Sequence, residues 1–381
     1  MEFSWTTEQV EIYDRVLAFS RKELNHEIRE RDREHRFPRR EWRKCGEFGL
    51  TGLSVPERYG GMGLDCLTTA RIVEAFGRGC EDGGLVFSVA AHLFACVMPI
   101  YAGASDELRE RLLPRLCDGT SIGANAITEA EAGSDVHALA CRAVRDGDDY
   151  VLNGEKTYVT NGPVADLFVV YATTNRAFGY MGITAFVVPR QTEGLVVGEP
   201  FDKTGLTTSP VSSVYLQDCR VPAAYRLNEE GQGGLLFKES MHWERACLFA
   251  MYVGAMDRQL ERAIEFATTR RQFGKTIGKF QGVSHRIADM KLRLESARLL
   301  LYRACWLRDQ GHDATLDIAL AKVAISEAAV RSGIDTIQVF GGSGVIREFD
   351  VERELRDALP STLFSGTSEI QRNLIAARLG L

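Results

Sequence analysis

Met241-His242-Trp243-Glu244-Arg245-Ala246-Cys247-Leu248 lies inside a long apolar segment with helical periodicity, residues 234–268. The helical neighbours of Glu244 at three, four and seven residues are all apolar but one: Ser240, Met241, Cys247, Leu248 and Met251. Burial disfavours the charged form of a carboxylate, so we expect the pKa of Glu244 to be raised towards the range useful for a general base. The alternative is a surface glutamate paired with Arg245.

Outward from this segment, the C-terminal part of the chain is helical. Apolar periodicity also covers residues 280–311 and 313–340, and a last helix begins at 367. These segments predict a four-helix bundle over residues 225–381. The last helix opens from the loop Phe364-Ser365-Gly366-Thr367-Ser368-Glu369-Ile370-Gln371-Arg372.

Two segments with different sequence patterns precede the bundle. Residues 120–224 contain short β-rich runs, 150–152, 167–171, 183–188 and 213–216, which are separated by turn residues and predict an antiparallel β domain. Residues 1–119 have helical patterns, with a capping signal at Thr6 and a helix near 85–94 that is apolar nearly all round and therefore internal. The predicted fold is mainly α with a central β domain.

Composition excludes several classes of protein. The chain has 381 residues, 26% of them charged, and a formal net charge of −6, which argues against a nucleic-acid-binding protein. Nine cysteines without a Cys-x-x-Cys pair, and seven histidines without ligand spacing, predict reduced thiols in a cytoplasmic protein and no metal site. Met1–Thr6 has no signal-peptide character, and no uninterrupted apolar run reaches the length of a membrane span.

The two quoted segments resemble the acyl-CoA dehydrogenase family, whose members are flavoenzymes that oxidise the α,β bond of acyl thioesters. Most members carry the catalytic glutamate at the position of Ser365, and a minority carry it at the position of Glu244. The resemblance therefore implies that Glu244 is the base and that the backbone N–H of Ser365 stabilises the enolate oxygen. It also implies the same three-domain order of helices, β-sheet and helical bundle.

Four further motifs carry the resemblance and imply that the cofactor is FAD. They are Asn125–Asp135, Lys156–Gly162, Arg270–Lys275 with Gln281, and Gln338–Gly344. Each motif alone is typical of an ordinary loop, strand end or glycine cap, and none forms a Rossmann fingerprint. The residues implied to bind FAD are Ile127, Thr128, Gly133, Ser134, Tyr158, Thr160, Arg270, Phe273, Gln281, Gln338, Gly342, Thr367 and Glu369. In the family, the Arg270 loop reaches the flavin of a neighbouring subunit, which implies a homo-oligomer of at least two chains and suggests a tetramer.

Several segments are similar to one subgroup, the prolyl–carrier-protein dehydrogenases of pyrrole antibiotic biosynthesis. They are residues 89–100, 243–250 and 294–306. The resemblance implies that an L-prolyl group on a peptidyl carrier protein is oxidised to a pyrrolyl-2-carbonyl thioester, with Ser134, Trp243, Arg245 and Phe364 near the substrate. Trp243 and Phe364 could equally be core residues.

Other interpretations stay open at this stage. A short branched acyl-CoA of the isovaleryl type is the alternative substrate, and a flavin monooxygenase or a nitroalkane-oxidising enzyme is the alternative activity. The electron acceptor is either an electron-transfer flavoprotein or oxygen. A basic stretch, Arg36, Arg39, Arg40, Arg43 and Lys44, could contact an acidic carrier protein, although a solvated helical face explains it more simply.

Overall fold

Helices form the first part of the chain, and the sequence supplies their caps. The computed structural model describes residues 4–381. Thr6 accepts a hydrogen bond from the Gln9 N–H while the Gln9 side chain accepts from Thr6, so the predicted capping box is confirmed. Asp65 and Ser105 cap two later helices. The helices are α1 (Thr7–Glu23), α2 (Ile28–Glu34), α3 (Arg39–Phe48), α4 (Cys66–Gly79), α5 (Gly83–Ala91), α6 (Met98–Gly103) and α7 (Asp106–Cys117).

A single mixed sheet forms the middle of the described chain. Its strands are β1 (Gly123–Ala126), β2 (Arg142–Asp146), β3 (Asp149–Thr160), β4 (Leu167–Thr173), β5 (Ile183–Pro189), β6 (Leu195–Val197), β7 (Val211–Pro222) and β8 (Arg226–Leu227). Neighbours run in the order β6-β7-β3-β2-β4-β5-β8. The β domain is confirmed, but the prediction of a purely antiparallel sheet is wrong at β1 and β2. Both pair with β4 in parallel, because other strands and loops, rather than a hairpin turn, connect each of them to β4.

Helices return after the sheet and form the bundle. They are α8 (Gly233–Trp243), α9 (Ala250–Thr269), α10 (Gln281–Asp309), α11 (Thr315–Phe340), α12 (Val351–Ala358) and α13 (Ser368–Arg378), with a short hairpin of β9 (Arg271–Gln272) and β10 (Lys275–Thr276) between α9 and α10. Helices α9, α10 and α11 pack on one another, and α13 packs on α11. Helix α4 from the first part of the chain also packs against α9 and α10, so the bundle and the N-terminal helices share one core.

Two helical segments contain π turns that the apolar periodicity did not predict. One covers His92–Val97 after α5, and the other covers Glu244–Leu248 between α8 and α9. The segment 234–268 is therefore not one continuous α-helix, as predicted, but two helices joined at Glu244. A π turn widens the helix by one residue and is frequent at functional sites.

The segment Gly83–Gly103 is long and apolar enough to cross a membrane, although 83% of its most apolar 18-residue stretch is buried inside the protein. Ser88 and His92 interrupt its apolar residues, so the sequence contains no uninterrupted apolar run of that length. His92 donates from Nε2 to the Leu116 carbonyl and accepts at Nδ1 from the Gly123 N–H, and burial lowers the pKa of its imidazole to about 4. The segment is thus a core helix, as its pattern predicted. Residues 1–3, which belong to the segment used for the signal-peptide prediction, lie outside the described residues.

Three cysteines that are distant in sequence meet in the core. All nine cysteines are buried and free. The Sγ atoms of Cys66, Cys247 and Cys305 lie within 4.8 Å of one another, and the Cys66 and Cys247 sulfurs are 3.5 Å apart. Buried thiols also pack as small apolar side chains. Sequence spacing could not reveal this cluster, and the absence of a bound metal stays a prediction.

Close backbone contact between α4 and α9 holds the π turn at Glu244 against the N-terminal helices. A Cβ atom on Gly254 would lie 2.1 Å from the Glu74 carbonyl oxygen, and one on Gly77 would lie 2.3 Å from that of Met251. We therefore expect Gly254→Ala to destabilise the protein by about 1–3 kcal/mol, because neither backbone can yield. Thermal unfolding measures this change as a lower Tm.

A matched control for this prediction is Gly282→Ala on α10. A Cβ atom there meets nothing within 4 Å, and alanine has the higher helix propensity. We expect its Tm to equal or slightly exceed that of the wild type. Equal Tm values for all three proteins would contradict the close packing of α4 and α9.

Candidate active site

A cavity of about 770 Å³ opens where the N-terminal helices, the sheet and the bundle meet. Its volume suits a cofactor together with a small substrate. The sequence-predicted residues in its wall are Ile127, Thr128, Gly133, Ser134, Tyr158, Thr160, Glu244, Arg245, Phe364, Ser365 and Thr367. The fold thus brings together residues from three distant parts of the chain.

Glu244 lies in the wall of this cavity with only 9% of its surface exposed. The predicted apolar surroundings are confirmed, because Ser240, Met241, Cys247, Leu248 and Met251 are all buried. Desolvation raises the pKa of the Glu244 carboxyl, and the Ser365 hydroxyl and the Arg245 charge oppose that rise. The Ser365 hydroxyl donates a short hydrogen bond to Glu244 Oε1. A buried carboxylate with a raised pKa in a cavity wall has the properties of a general base.

The loop that carries Ser365 is tied to the π turn that carries Glu244. Arg245 donates from Nε to the Ser365 carbonyl at 2.7 Å, and Gln371 Nε2 donates to the same oxygen at 3.3 Å. Ser365 has φ +56°, in the left-handed region that most residues avoid. Thr367 then caps α13 by accepting from the Ile370 N–H. Arg245 therefore binds the loop through Nε and does not form a bidentate ion pair with Glu244.

No acceptor within residues 4–381 is bonded to the Ser365 backbone N–H. Ser365 lines the cavity, so this N–H can serve a substrate oxygen there. Phe364, the preceding residue, also lines the cavity and packs against Phe87 at 4.7 Å and Phe249 at 5.2 Å between ring centres. Phe364 therefore lines the cavity with part of its side chain and also packs against core residues.

A buried ion pair shapes the wall contributed by the sheet. Lys156 Nζ donates to Glu129 Oε1 at 2.6 Å and to the Ile127 carbonyl at 3.0 Å. The Glu129 carboxylate also accepts from the Ala140 and Cys141 N–H groups. A backbone hydrogen bond from the Thr157 N–H to the Thr128 carbonyl, 2.8 Å long, joins the two predicted flavin motifs. Loop 127–134 is therefore fixed to the cavity end of β3.

The residues present in the cavity fit a flavin. Thr128, Ser134, Thr160 and Thr367 offer hydroxyl groups, and a Cβ atom on Gly133 would meet nothing within 4 Å, which leaves room for a close approach. The Asn125 Oδ1 atom is buried in the same wall without a hydrogen-bond partner, so it can accept from a ring N–H. These groups match a planar, polar-edged ring system.

Tyr158 is placed so that a flat ring can stack on it. Its side chain is 68% exposed, its φ is +54°, and its ring lies 5.8 Å from that of Phe201. An exposed aromatic held in a strained backbone conformation at a cavity edge is typical of a ligand contact. The Tyr158 flavin contact implied by the resemblance stays a prediction that this geometry supports.

Six predicted cofactor residues lie away from the cavity of this chain: Arg270, Phe273, Gln281, Gln338, Gly342 and Glu369. All of them are exposed, and Phe273, at the tip of the β9–β10 hairpin, is 92% exposed. A single chain cannot bring them to the site that it forms itself. The resemblance assigned the Arg270 loop to a neighbouring subunit, and those roles stay predictions.

Trp243 does not line the cavity, in contrast to the other predicted substrate residues. It stacks against Phe94 with 6.4 Å between ring centres, and the Arg308 guanidinium lies 4.6 Å from its ring centre. Glu244 and Arg245, the first residues of the π turn, line the cavity, whereas Trp243, the residue before them, does not. The alternative interpretation, packing in the core, describes this residue better.

Several residues of the cavity wall were not predicted from the sequence. The apolar ones are Phe87, Ala91, Ala95, Leu206, Phe237, Met241 and Leu363, and the polar ones include Asn125, Tyr180, Lys203, Ser209 and Lys238. The apolar residues carry no signal that separates a cavity wall from a core. Asn125 lies within a quoted motif, and its position two residues before Ile127 could have identified it.

Comparisons with known proteins agree across the whole chain. Three family models match: the acyl-CoA dehydrogenase N-terminal domain at residues 6–120, the middle domain at 124–219 and the C-terminal domain at 231–380. An L-prolyl-[peptidyl-carrier protein] dehydrogenase of Pseudomonas fluorescens strain Pf-5 is 55% identical over 346 residues, 91% of each chain. A protein of the same name from a Serratia strain is 44% identical over 100% of this chain and 99% of its own.

A solved structure described as PigA with FAD and proline is similar to the whole chain. Its TM-score is 0.98 at 44% identity, and the match covers 100% of both chains. Butyryl-CoA dehydrogenase from Megasphaera elsdenii matches with a TM-score of 0.96 at 34% identity, again over 100% of both chains. The predicted order of helical, β and helical domains is therefore confirmed, whereas the boundaries 1–119, 120–224 and 225–381 stay predictions.

Proposed function

Because the chain belongs to the acyl-CoA dehydrogenase family, we propose that it is an FAD-dependent dehydrogenase of an acyl thioester, with an L-prolyl group on a peptidyl carrier protein as its substrate. The observation that carries this proposal is the buried Glu244 carboxylate in the wall of a cavity of about 770 Å³. The relatives named for the prolyl–carrier-protein reaction, at 55% and 44% identity, support the choice of substrate.

The proposed chemistry begins with proton removal. Glu244, whose pKa is raised by burial, takes the proton from the α-carbon of the thioester. The negative charge that develops on the carbonyl oxygen needs donors, and the free Ser365 backbone N–H in the cavity wall is one. One such donor typically lowers the barrier by about 3 kcal/mol. Bound FAD supplies the two-electron acceptor for the hydrogen on the neighbouring carbon.

The apolar part of the wall suits a compact acyl group. Phe87, Ala91 and Ala95 on α5 and its π turn face the same cavity as Glu244 and Phe364. These side chains exclude water from the proton transfer and leave the carboxylate poorly solvated. A prolyl ring is small and cyclic, so a shallow apolar pocket is sufficient to hold it. Full conversion to the pyrrolyl group removes four hydrogen atoms in two successive two-electron oxidations, and the flavin must be reoxidised between them.

Residues of one chain would hold the flavin ring, and a second chain would complete the site. Thr128, Ser134, Tyr158, Thr160 and Thr367 would contact the ring and its polar edge. Exposed Arg270 and Phe273 would reach the flavin of the partner, where a guanidinium can bind phosphate through two hydrogen bonds. The proposal thus includes a homo-oligomer, a tetramer by resemblance, in the cytoplasm. Either an electron-transfer flavoprotein or oxygen would reoxidise the flavin.

The basic stretch considered for carrier binding gives the proposal little support. Arg36 pairs with Glu27 and Glu34, and Lys44 pairs with Glu23, so these charges are largely used within the N-terminal helices. Arg39, Arg40 and Arg43 remain exposed. None of the five residues lines the cavity. A solvated helical face describes the stretch better than a docking site.

An anaerobic reductive titration tests the proposed function. We expect L-prolyl carrier protein to bleach the flavin absorbance and, once oxygen or another electron acceptor is admitted to reoxidise the flavin, mass spectrometry of the carrier to detect a product lighter by four hydrogen atoms. Isovaleryl-CoA is expected to bleach the flavin much more slowly. Bleaching by isovaleryl-CoA alone would contradict the prolyl substrate, and the absence of bleaching by either thioester would contradict a dehydrogenase.

A further inference from the structure

One hydroxyl group contacts the proposed base, Glu244, directly. Within residues 4–381, Ser365 is the one residue that donates a hydrogen bond to the Glu244 carboxylate, through Oγ to Oε1. The two residues are 121 positions apart in sequence and meet because the loop before α13 folds onto the π turn. The neighbouring cation, Arg245, directs its Nε–H to the Ser365 carbonyl instead.

The Ser365 hydroxyl is held in place by its backbone. Arg245 and Gln371 both donate to the Ser365 carbonyl, and Gln371 also donates to that of Gly366. Thr367, two residues on, caps α13 and fixes the other end of the loop. The left-handed φ of +56° at Ser365 is a conformation that a serine adopts only when its surroundings impose it. These contacts aim the side chain at Glu244.

We propose that Ser365 is a positioning residue, whose hydroxyl group fixes the orientation of the Glu244 carboxylate and keeps it ionised in its buried site. The proposal rests on the proposed function, because it assigns Ser365 a role in the same proton transfer. It adds a side-chain role to the backbone N–H already assigned to this residue.

Burial and hydrogen bonding act on Glu244 in opposite directions. An apolar cavity wall favours the neutral carboxylic acid, which cannot remove a proton. A hydroxyl donor stabilises the ionised form, and a bond to a charged group is among the stronger hydrogen bonds. The bond to Oε1 leaves Oε2 without a hydrogen-bond donor among residues 4–381, so Oε2 can receive the proton. Ser365 therefore allows a buried glutamate to serve as a base near neutral pH.

Other ionisable groups lie near the carboxylate. Burial raises the pKa values of Tyr171 and Tyr180, and it lowers those of Lys203 and Lys322 to about 8. Arg245 stays cationic although burial lowers its pKa, and Lys238 is exposed at the cavity rim. His242 has a lowered pKa on the preceding helix. The acid limb of the pH profile is therefore assigned to Glu244 if it is absent in Glu244→Gln. A shift of that limb in a Ser365 variant then reports on the ionisation of Glu244.

Ser365→Gly is the variant that tests the proposal. Glycine accepts the left-handed backbone conformation, so the loop keeps its shape while the hydroxyl is removed. Without its donor, the pKa of Glu244 rises, so the acid limb of the anaerobic flavin-bleaching rate is expected to move to higher pH by about one unit. Ser365→Ala is expected to move it equally. Thr362→Ala, which removes a hydroxyl from the same segment that bonds only to the Leu359 carbonyl, is expected to leave it unchanged.

A second readout separates this proposal from the proposed function. Infrared titration of the carboxyl band that is absent in Glu244→Gln follows the ionisation of Glu244 without any substrate. A band that titrates about one unit higher in Ser365→Gly supports the role of Ser365, even if no thioester bleaches the flavin. Identical titration in wild type and Ser365→Gly would overturn it, even if the prolyl thioester proves to be the substrate.

Discussion

Glu244→Gln is expected to lower the rate of anaerobic flavin bleaching by L-prolyl carrier protein by about 10²–10⁴-fold, the usual contribution of a general base. Glutamine has nearly the same shape as glutamate, so it can keep the contact with Ser365 Oγ, but it cannot accept the α-proton. The surrounding apolar side chains and the π turn should be unaffected. Stopped-flow absorbance at saturating thioester measures the bleaching rate directly.

A matched control is Glu239→Gln on the helix that leads into the same π turn. Glu239 is exposed and pairs with Arg308, outside the cavity wall. This variant is expected to bleach within about twofold of wild type, because exposed ion pairs contribute little. Both variants should contain as much flavin as wild type, since neither residue is assigned to the cofactor. Rapid bleaching in Glu244→Gln would mean that another group removes the proton.

The apolar periodicity of the sequence predicted the surroundings of Glu244, but it did not predict the π turn that carries this residue. The apolar residues at helical spacing were sufficient to predict burial and a raised pKa, and both are confirmed. An ordinary helix and a π turn have nearly the same hydrophobic pattern over five residues, so the break at 244–248 was not predicted. This break decides that Arg245 lines the cavity while Trp243 stacks on Phe94.

Long-range contacts were the other part that the sequence could not predict. The segments around Glu129 and Lys156 belonged to two separate motifs, and nothing in their spacing indicated an ion pair between them. The hydrogen bond from the Ser365 hydroxyl to Glu244 was not predicted, because the two residues are 121 positions apart in sequence. The resemblance named which positions matter, and the fold supplies the contacts that explain how they act.

The buried pair of Lys156 and Glu129 is where a second large effect is expected. Lys156 is fully buried and Glu129 is 7% exposed, and together they fix loop 127–134 against β3. Lys156→Met keeps much of the side-chain volume but leaves the Glu129 carboxylate buried with two backbone donors and no cation. Removing one partner of a buried ion pair costs about 3–5 kcal/mol, so we expect a loss of this size in the free energy of unfolding.

Flavin affinity should fall together with stability in Lys156→Met. Loop 127–134 contributes Thr128, Gly133 and Ser134 to the cavity, and the Lys156 bond to the Ile127 carbonyl holds its first residue. Chemical unfolding of the flavin-free protein and fluorescence titration with FAD measure the two effects separately. Lys291→Met, which removes a lysine from the exposed pair with Glu295 on α10, is expected to change neither by more than about 0.5 kcal/mol.

A double variant distinguishes an unpaired charge from a lost anchor. Glu129→Gln in the Lys156→Met background removes the stranded carboxylate, so stability should recover in part, whereas flavin affinity should stay low because the bond to the Ile127 carbonyl is still absent. Recovery of both would mean that the charge alone matters and that the loop needs no anchor. Recovery of neither would mean that the lysine acts through packing rather than through the charge of Glu129.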